Sequence, residues 1–225
     1  MKQKRFLATP MSKIIAFLFV YLCLGYTLAP LSSSFYQQIF HCSLMNAEML
    51  RQYGFFIFHL LCMSLGILIF RQELKNDLQL IKNKIGKSLG KIIFTFILML
   101  VGSIFLSFIQ TENQAAVDSF LKVGSPLSNF LFTLTVSLIG PFNEELFFRE
   151  VIIGQFSTKF PKWMLILISS FLFGLIHIAS FSQWPQALPY IWNGWMLSLL
   201  YSRNNNNVLL SFGAHALNNF ISILI

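Results

Sequence analysis

Residues 141–150 read PFNEELFFRE, a stretch that places three of the chain's eight acidic residues within one of its most apolar regions. The sequence as a whole is 56% hydrophobic and only 11% charged, and 26 of its 225 residues are phenylalanine. A soluble domain of this length is far less apolar. We therefore expect an integral membrane protein, in which three neighbouring acidic side chains need an explanation.

Seven apolar runs are predicted to cross the membrane, because a helix of about 20 apolar residues spans the hydrocarbon core. The first follows a basic start, MKQKR, but lacks a small-x-small cleavage site, so we interpret it as a retained helix and not as a signal peptide. The sequence thus predicts an all-α, polytopic membrane protein with an N-terminal part, 1–126, of three spans and a basic loop, and a helical core, 127–225. The runs are 14–32, 54–70, 91–109, 127–139, 163–181, 186–201 and 207–225.

The distribution of Lys and Arg predicts the orientation of these spans, because basic residues in short loops stay on the cytoplasmic side. They gather before the first span and after the second, fourth and sixth spans, whereas only Arg51 and Lys122 fall on the opposite side. The N-terminus is therefore expected in the cytoplasm and the C-terminus outside. This topology and anionic lipid account for the net charge of +8, so no nucleic-acid partner is predicted.

Three further features of the sequence are local. The basic segment 71–91 fits either a short amphipathic helix on the cytoplasmic leaflet or a solvated loop. Four consecutive asparagines, Asn204 to Asn207, predict a turn before the last span. The three cysteines are scattered without metal-binding or redox spacing, so we assign them no function.

Ionisable side chains inside a span cost several kcal/mol each and are tolerated mainly where they face a cavity or one another. At a rise of about 1.5 Å per residue, Glu144, His177 and Asn219 come out about 18–21 Å from the cytoplasmic ends of their helices, and His215 about 12 Å. A single histidine usually just hydrogen-bonds a neighbouring helix, but this shared layer predicts a functional site. The ionisable residues within spans are His59, Glu144, Glu145, Arg149, Glu150, His177 and His215, with Asn219 as a suggestive amide.

Helix geometry separates the roles of the two adjacent glutamates. Glu145 and Arg149 are four residues apart, in the favourable order for an ion pair on one helix face. Glu144 is turned about 100° away from that face. We therefore expect Glu145 to be a neutralised, structural carboxylate and Glu144 to be available for chemistry. Glu150 lies closer to the cytoplasm and is expected to support the site or the surface, not to catalyse.

The Gly140-Pro141 pair predicts a helix break just before the glutamates. Proline lacks a backbone donor and clashes with the carbonyl four residues back. Asn143 is then expected to cap the restarted helix. Further along the chain, two pairs of residues share a helix face through the same four-residue spacing, namely Phe173 with His177 and His215 with Asn219.

These side chains suit the hydrolysis of an amide bond. A carboxylate beside an imidazole can take a proton from water, and an imidazole and an amide on another helix can donate hydrogen bonds to a developing oxyanion. The reaction would need no serine or cysteine nucleophile. An alternative uses two histidines and a glutamate to hold zinc, although their spacing departs from the usual helical zinc signature. Our expectation is a site without metal or cofactor.

Three motifs in order carry a family resemblance: Glu144-Glu145-x-x-x-Arg149, Phe173-x-x-x-His177 and His215-x-x-x-Asn219. Together they resemble the CAAX-protease and bacteriocin-processing (CPBP, Abi) family of glutamate-type intramembrane endopeptidases, over about residues 127–225. The resemblance implies that 127–225 is the catalytic core. It also implies the roles: Glu144 and His177 activate water, His215 and Asn219 form the oxyanion site, and Glu145 and Arg149 hold the helix and the base in place.

The resemblance further implies a peptide or membrane-protein substrate cut within the cell membrane. Eukaryotic members cut prenylated C-terminal tails, whereas bacterial members are associated with peptide maturation and self-immunity to bacteriocins. The abundance of Phe, Ile, Leu, Lys and Asn fits an AT-rich genome and thus a low-GC Gram-positive bacterium. Two alternatives remain open: a non-catalytic immunity or scaffold protein that binds a membrane partner, and a transporter that uses the same groups as a proton relay. The sequence predicts no oligomeric state.

Overall fold

The computed structural model describes residues 10–24 and 33–224, and every regular element in these two ranges is helical. The all-α prediction is therefore confirmed. Wider, π-helical turns lie at Val20–Leu24, Thr135–Ile139 and Leu146–Gln155, and 3-10 turns at Phe156–Thr158 and Phe181–Ala187. The α-helices are α1 (Met11–Phe19), α2 (Ser33–Phe40), α3 (Leu44–Ile69), α4 (Arg71–Lys82), α5 (Ile85–Phe105), α6 (Glu112–Val123), α7 (Pro126–Leu134), α8 (Gly140–Glu145), α9 (Lys162–Leu175), α10 (Leu188–Arg203) and α11 (Val208–Leu224).

Two of these helices, α3 and α5, are long and apolar enough to cross a membrane, and α9, α11 and the segment Met11–Leu22 are shorter apolar helices. Large apolar side chains point outward from both long helices; Leu68 is 69% exposed and Phe105 is 77% exposed. Such surfaces suit contact with lipid, which agrees with the predicted polytopic membrane architecture. The basic start of the chain and the part of the first predicted span beyond residue 24 lie outside the described residues.

Two helix boundaries differ from the predicted spans for local reasons. Helix α3 begins at Leu44, well before residue 54, because the Ser43 hydroxyl accepts a hydrogen bond from the Asn46 amide and caps the helix. Helix α9 ends at Leu175 and not at residue 181. Its last turn tightens, with the His177 amide bonded to the Gly174 carbonyl three residues back. His177 therefore lies just beyond the helix that was predicted to contain it.

The basic segment is helical and not a loop, and the asparagine turn is confirmed. The first part of the segment forms α4, and its last residues begin α5. Its position on the cytoplasmic leaflet stays a prediction. The asparagines connect α10 to α11, and Asn205 and Asn206 adopt left-handed backbone angles, with φ of 58° and 57°. Asparagine tolerates this conformation better than most residues do.

The predicted helix break at Gly140-Pro141 is wrong. The chain stays helical from α7 into α8, and the turn before the proline widens instead: the Gly140 amide bonds to the Thr135 carbonyl, five residues back. A wider turn moves the carbonyls away from the proline ring and keeps most of the hydrogen bonds. The next donor in this register would be the amide of Pro141, which does not exist, so the Val136 carbonyl is left for another partner.

Close packing of α9 against α10 and the position of α11 bring the three motifs together. A side chain at Gly174 would meet Ile191 Cγ1 at 2.3 Å, and one at Gly194 would meet Phe173 Cβ at 3.1 Å. Glycine at both positions thus allows the two helices to approach. Helix α11 lies against α5, α8 and the π-helical segment Thr135–Ile139, so its polar face meets the glutamates on α8.

Candidate active site

Glu145 and Arg149 form the predicted ion pair, with Arg149 Nη1 lying 3.1 Å from Glu145 Oε1 and both side chains fully buried. The other terminal nitrogen, Arg149 Nη2, donates to the Gly194 carbonyl at 3.0 Å. The guanidinium carbon also lies 4.7 Å from the centroid of the Phe173 ring, a distance typical of a cation–π contact. Arg149 therefore connects the glutamate-bearing helix to both α9 and α10.

His215 lies between the two adjacent glutamates. Its Nδ1 donates to Glu145 Oε1 at 3.0 Å, and its Nε2 lies 3.7 Å from Glu144 Oε2. The second distance is too long for a direct hydrogen bond. The Glu144 side chain is 17% exposed and that of Glu145 is fully buried. The structure thus encloses one glutamate between two positively polarised groups and leaves the other more accessible, as helix geometry predicts.

His177 is held at the end of α9 by its own ring. The Nδ1 donates to the Phe173 carbonyl at 2.7 Å, because a carbonyl can only accept. In the neutral ring Nε2 is then the unprotonated nitrogen. The ring stacks on Tyr190 with centroids 4.2 Å apart. The Phe173 ring contacts both His177 and His215, with centroid distances of 4.9 and 5.4 Å.

Asn219 forms a hydrogen bond with the backbone of the widened turn. Its Nδ2 donates to the Val136 carbonyl at 3.0 Å, in place of the backbone amide hydrogen that Pro141 lacks. Its Oδ1 accepts from Asn218 Nδ2 at 3.4 Å. One amide hydrogen of Asn219 is therefore committed to the backbone of the widened turn, which fixes the side chain on the same helix that carries His215.

Asn143 and His59 form a contact that sequence reasoning missed. The prediction that Asn143 caps a helix is wrong. Its Nδ2 instead donates to the His59 carbonyl at 2.9 Å and lies 3.3 Å from His59 Nδ1. The fully buried Asn143 directly precedes Glu144, so this contact ties the glutamates to α3 in the N-terminal part of the chain. The available signal was a histidine inside the second predicted span, but nothing in the sequence indicates its partner.

Glu150 is fully buried, which excludes the surface role considered for it. The Tyr201 hydroxyl donates to its Oε2 at 3.1 Å, and Gln155 Nε2 donates to its Oε1 at 3.3 Å. Both contacts lie on the side of the π-helical segment that leads away from Glu144. Glu150 therefore stabilises the packing of this segment against α10.

A group of three or more His, Cys, Asp or Glu side chains arranged to hold a metal ion is absent from the described residues. The imidazoles of the site act instead as hydrogen-bond donors, His215 towards Glu145 and His177 towards the Phe173 carbonyl. As arranged, the cluster can bind and move protons. A carboxylate with some exposure, a neutral imidazole and a buried counter-charge are the groups that activation of a water molecule requires.

Residues 126–221 match the model of a family described as "Type II CAAX prenyl endopeptidase Rce1-like". The matched range includes every residue of the three motifs, which confirms the resemblance to the CAAX-protease family. The chain is also 27% identical, over 193 residues, to an uncharacterized protein of Mycoplasma capricolum subsp. capricolum, covering 75% of this chain and 55% of that protein.

A second relative is a Bacillus subtilis protein named "Putative membrane peptidase YdiL", 28% identical over 115 residues, or 51% of this chain and 43% of that protein. The chain thus spans about half the length of the curated relatives it matches. No solved structure matches it.

Proposed function

We propose that residues 126–221, which match the Rce1-like family, form the core of an intramembrane endopeptidase that hydrolyses a peptide bond with activated water. The observation that carries the proposal is the position of His215 between a fully buried glutamate, Glu145, and a more accessible one, Glu144. This asymmetry gives two neighbouring carboxylates different chemical tasks. Arg149 and His215 both bind Glu145, so Glu144 is the carboxylate left to exchange a proton.

In the proposed reaction Glu144 takes a proton from water, and the resulting hydroxide attacks the carbonyl carbon of the scissile peptide bond. His177 orients the water through Nε2, which is an acceptor because Nδ1 donates to the Phe173 carbonyl. The proton then passes from Glu144 to the leaving nitrogen as the C–N bond breaks. A general base of this kind contributes roughly 10²- to 10⁴-fold to the rate.

His215 and Asn219 are proposed to stabilise the oxyanion of the tetrahedral intermediate. The Nε2 of His215 faces the Glu144 side of the cluster, because its Nδ1 is bound to Glu145. Asn219 keeps one amide hydrogen beyond the one given to Val136. Fixed donors of this kind stabilise charge that develops during the reaction, because they need no reorganisation.

The proposed substrate is a peptide or a membrane-protein segment, and the proposed setting is bacteriocin processing or self-immunity in the membrane of a Gram-positive bacterium, with the N-terminus in the cytoplasm. The description of the matching family and the name of the Bacillus relative support peptidase activity. The basic loops support the orientation. The lipid bilayer is the expected environment, and the N-terminal helices are proposed to form the wall through which substrate enters.

The alternative is a non-catalytic immunity or scaffold protein that binds a membrane partner. One observation favours it: the polar groups also join helices, since Asn143 binds His59 of α3 and Arg149 binds the Gly194 carbonyl of α10. Such contacts would stabilise a scaffold without any chemistry. The two functions differ in their response to a change that removes the base but keeps the shape of the side chain.

The experiment uses membranes that contain the full chain and a fluorogenic peptide that ends in a prenylated CAAX sequence, a prenylated cysteine followed by three residues, as the family's description indicates. Glu144→Gln is compared with Glu112→Gln, the same change at an exposed position on α6. We expect Glu144→Gln to abolish cleavage and Glu112→Gln to leave it unchanged, at equal membrane levels. Wild-type cleavage by Glu144→Gln would overturn the catalytic role of this glutamate.

A further inference from the structure

A basic cavity with a volume of about 440 Å³ lies where the start of α5 meets the asparagine turn between α10 and α11. Four of its lining residues are cations: Lys84, Lys87, Lys91 and Arg203. Its wall contains no carboxylate. Within the described residues, no ion pair involves Lys84, Lys87 or Arg203. The cavity therefore concentrates positive charge that no acidic side chain offsets.

The wall of the cavity is held in place by hydrogen bonds around the asparagine turn. Lys91 Nζ donates to Asn204 Oδ1 at 2.5 Å, and Lys162 Nζ donates to Asn206 Oδ1 at 2.5 Å from the other side of the turn. The next residue, Asn207, donates from Nδ2 to the Asp77 carbonyl of α4 at 3.0 Å. Three helices thus fix the turn, and the cavity has a built shape.

The two acidic residues of α4, Glu73 and Asp77, are turned away from the surface; they are 3% and 1% exposed. Asp77 Oδ2 accepts a hydrogen bond from the Val208 amide at 2.7 Å, so this carboxylate binds the first turn of α11. The outward side of the helix carries an exposed leucine and exposed basic residues. An outward face of this composition suits the surface of an anionic bilayer. It consists of Leu78 with Arg71, Lys75 and Lys82.

We propose that this cavity binds the phosphate of an anionic membrane phospholipid. Lys84, Lys87 and Arg203 would contact the phosphate, since all three are exposed and unpaired within the described chain. The cavity also has an apolar side, formed by Leu80, Ile81 and Leu210. A free phosphate ion would satisfy the cations but would leave that side in contact with water. A phospholipid satisfies both, because its acyl chains begin next to its phosphate.

The site is independent of the proposed peptidase chemistry but lies on the same helix. Leu210 and His215 are both on α11, and Asn207 precedes that helix by one residue. At a rise of about 1.5 Å per residue, His215 lies about 12 Å along the chain from Asn207. A bound headgroup would therefore hold the end of the helix that positions His215 and Asn219.

The experiment is native mass spectrometry of the purified full chain with equimolar phosphatidylglycerol and phosphatidylcholine, first without and then with added inorganic phosphate. The cavity variant is Lys84→Gln/Lys87→Gln/Arg203→Gln. The control, Lys13→Gln/Lys122→Gln/Lys159→Gln, removes the same number of charges from exposed positions outside both the cavity and the basic face of α4. We expect preferential binding of phosphatidylglycerol by the wild type and the control, and a roughly 100-fold loss of affinity in the cavity variant.

Three results would overturn the proposal. Equal losses in the two triple variants would show a diffuse attraction of charge and no site. Equal binding of the two lipids would exclude recognition of the anionic headgroup. Displacement of phosphatidylglycerol by inorganic phosphate at a similar concentration would assign the cavity to the free ion. Lys84→Arg/Lys87→Arg keeps the charges and must retain lipid binding, which separates loss of the site from loss of folding.

Discussion

The side-chain nitrogen of Asn219 lies 3.0 Å from the carbonyl oxygen of Val136, the acceptor that Pro141 leaves without a backbone donor. Asn219→Ala should therefore destabilise the protein by about 1 kcal/mol, the usual contribution of a hydrogen bond, because this one is only partly buried. Pro141→Ala supplies a new amide in the right register, so the double variant should recover part of the loss. Chemical unfolding in micelles measures both. No recovery in the double variant would contradict this account.

The two glutamates should differ sharply in their contributions to stability. Glu145→Gln leaves the fully buried Arg149 without its carboxylate, which we expect to cost about 3–5 kcal/mol of unfolding free energy. Glu144→Gln should change the unfolding free energy by less than about 1 kcal/mol, because its side chain is partly exposed and its contact with His215 is long. Unfolding curves for both variants in one detergent decide the matter, and similar losses would refute the separation of roles.

Tyr190 should orient His177 through its ring and not mainly through its hydroxyl. The two rings are stacked, with centroids 4.2 Å apart. Tyr190→Leu removes an aromatic contact of about 0.5–1.5 kcal/mol, and we expect peptide cleavage to fall by up to about tenfold. Tyr190→Phe keeps the stacking but loses the hydroxyl contacts with Thr111 and Asn113. It should therefore remain more active than Tyr190→Leu, and the reverse order would argue against stacking.

Gly174 should be the glycine least able to accept a side chain between α9 and α10. The new Cβ in Gly174→Ala would meet Ile191 Cγ1 at 2.3 Å and the Ala187 carbonyl oxygen at 2.9 Å. We expect a loss of about 1–3 kcal/mol from overpacking. The matched change Gly86→Ala, where nothing lies within 4 Å of the new Cβ, should be neutral or stabilising by up to about 1 kcal/mol. Thermal unfolding of the two variants is the measurement.

The parts of the site that depend on local spacing follow from the sequence. Glu145 and Arg149 pair because they are four residues apart, and Glu144 is the more accessible glutamate because it is turned away from that face. The contact of His215 with both glutamates does not follow from the depth estimates, which place His215 about 12 Å and Glu144 about 18–21 Å from the cytoplasmic ends of their helices.

The parts of the site that depend on backbone adjustment or on distant partners could not be predicted from the sequence. Pro141 was expected to break the helix. Instead, one turn widens, and the side chain of Asn219 donates to the Val136 carbonyl. His177 was predicted to lie inside α9. In the structure its ring Nδ1 donates to the Phe173 carbonyl, in place of a backbone amide, and this bond helps to end the helix. The contact between His59 and Asn143 joins residues 84 positions apart, a relationship that helix periodicity does not contain.

The position of His215 between Glu144 and Glu145 has a consequence for how far the helices can move. His215 is on α11 and both glutamates are on α8, so these contacts also join the two helices. A shift of either helix along its axis would separate the ring from both carboxylates at once. The site therefore depends on the register of two helices and not on any one of its side chains alone.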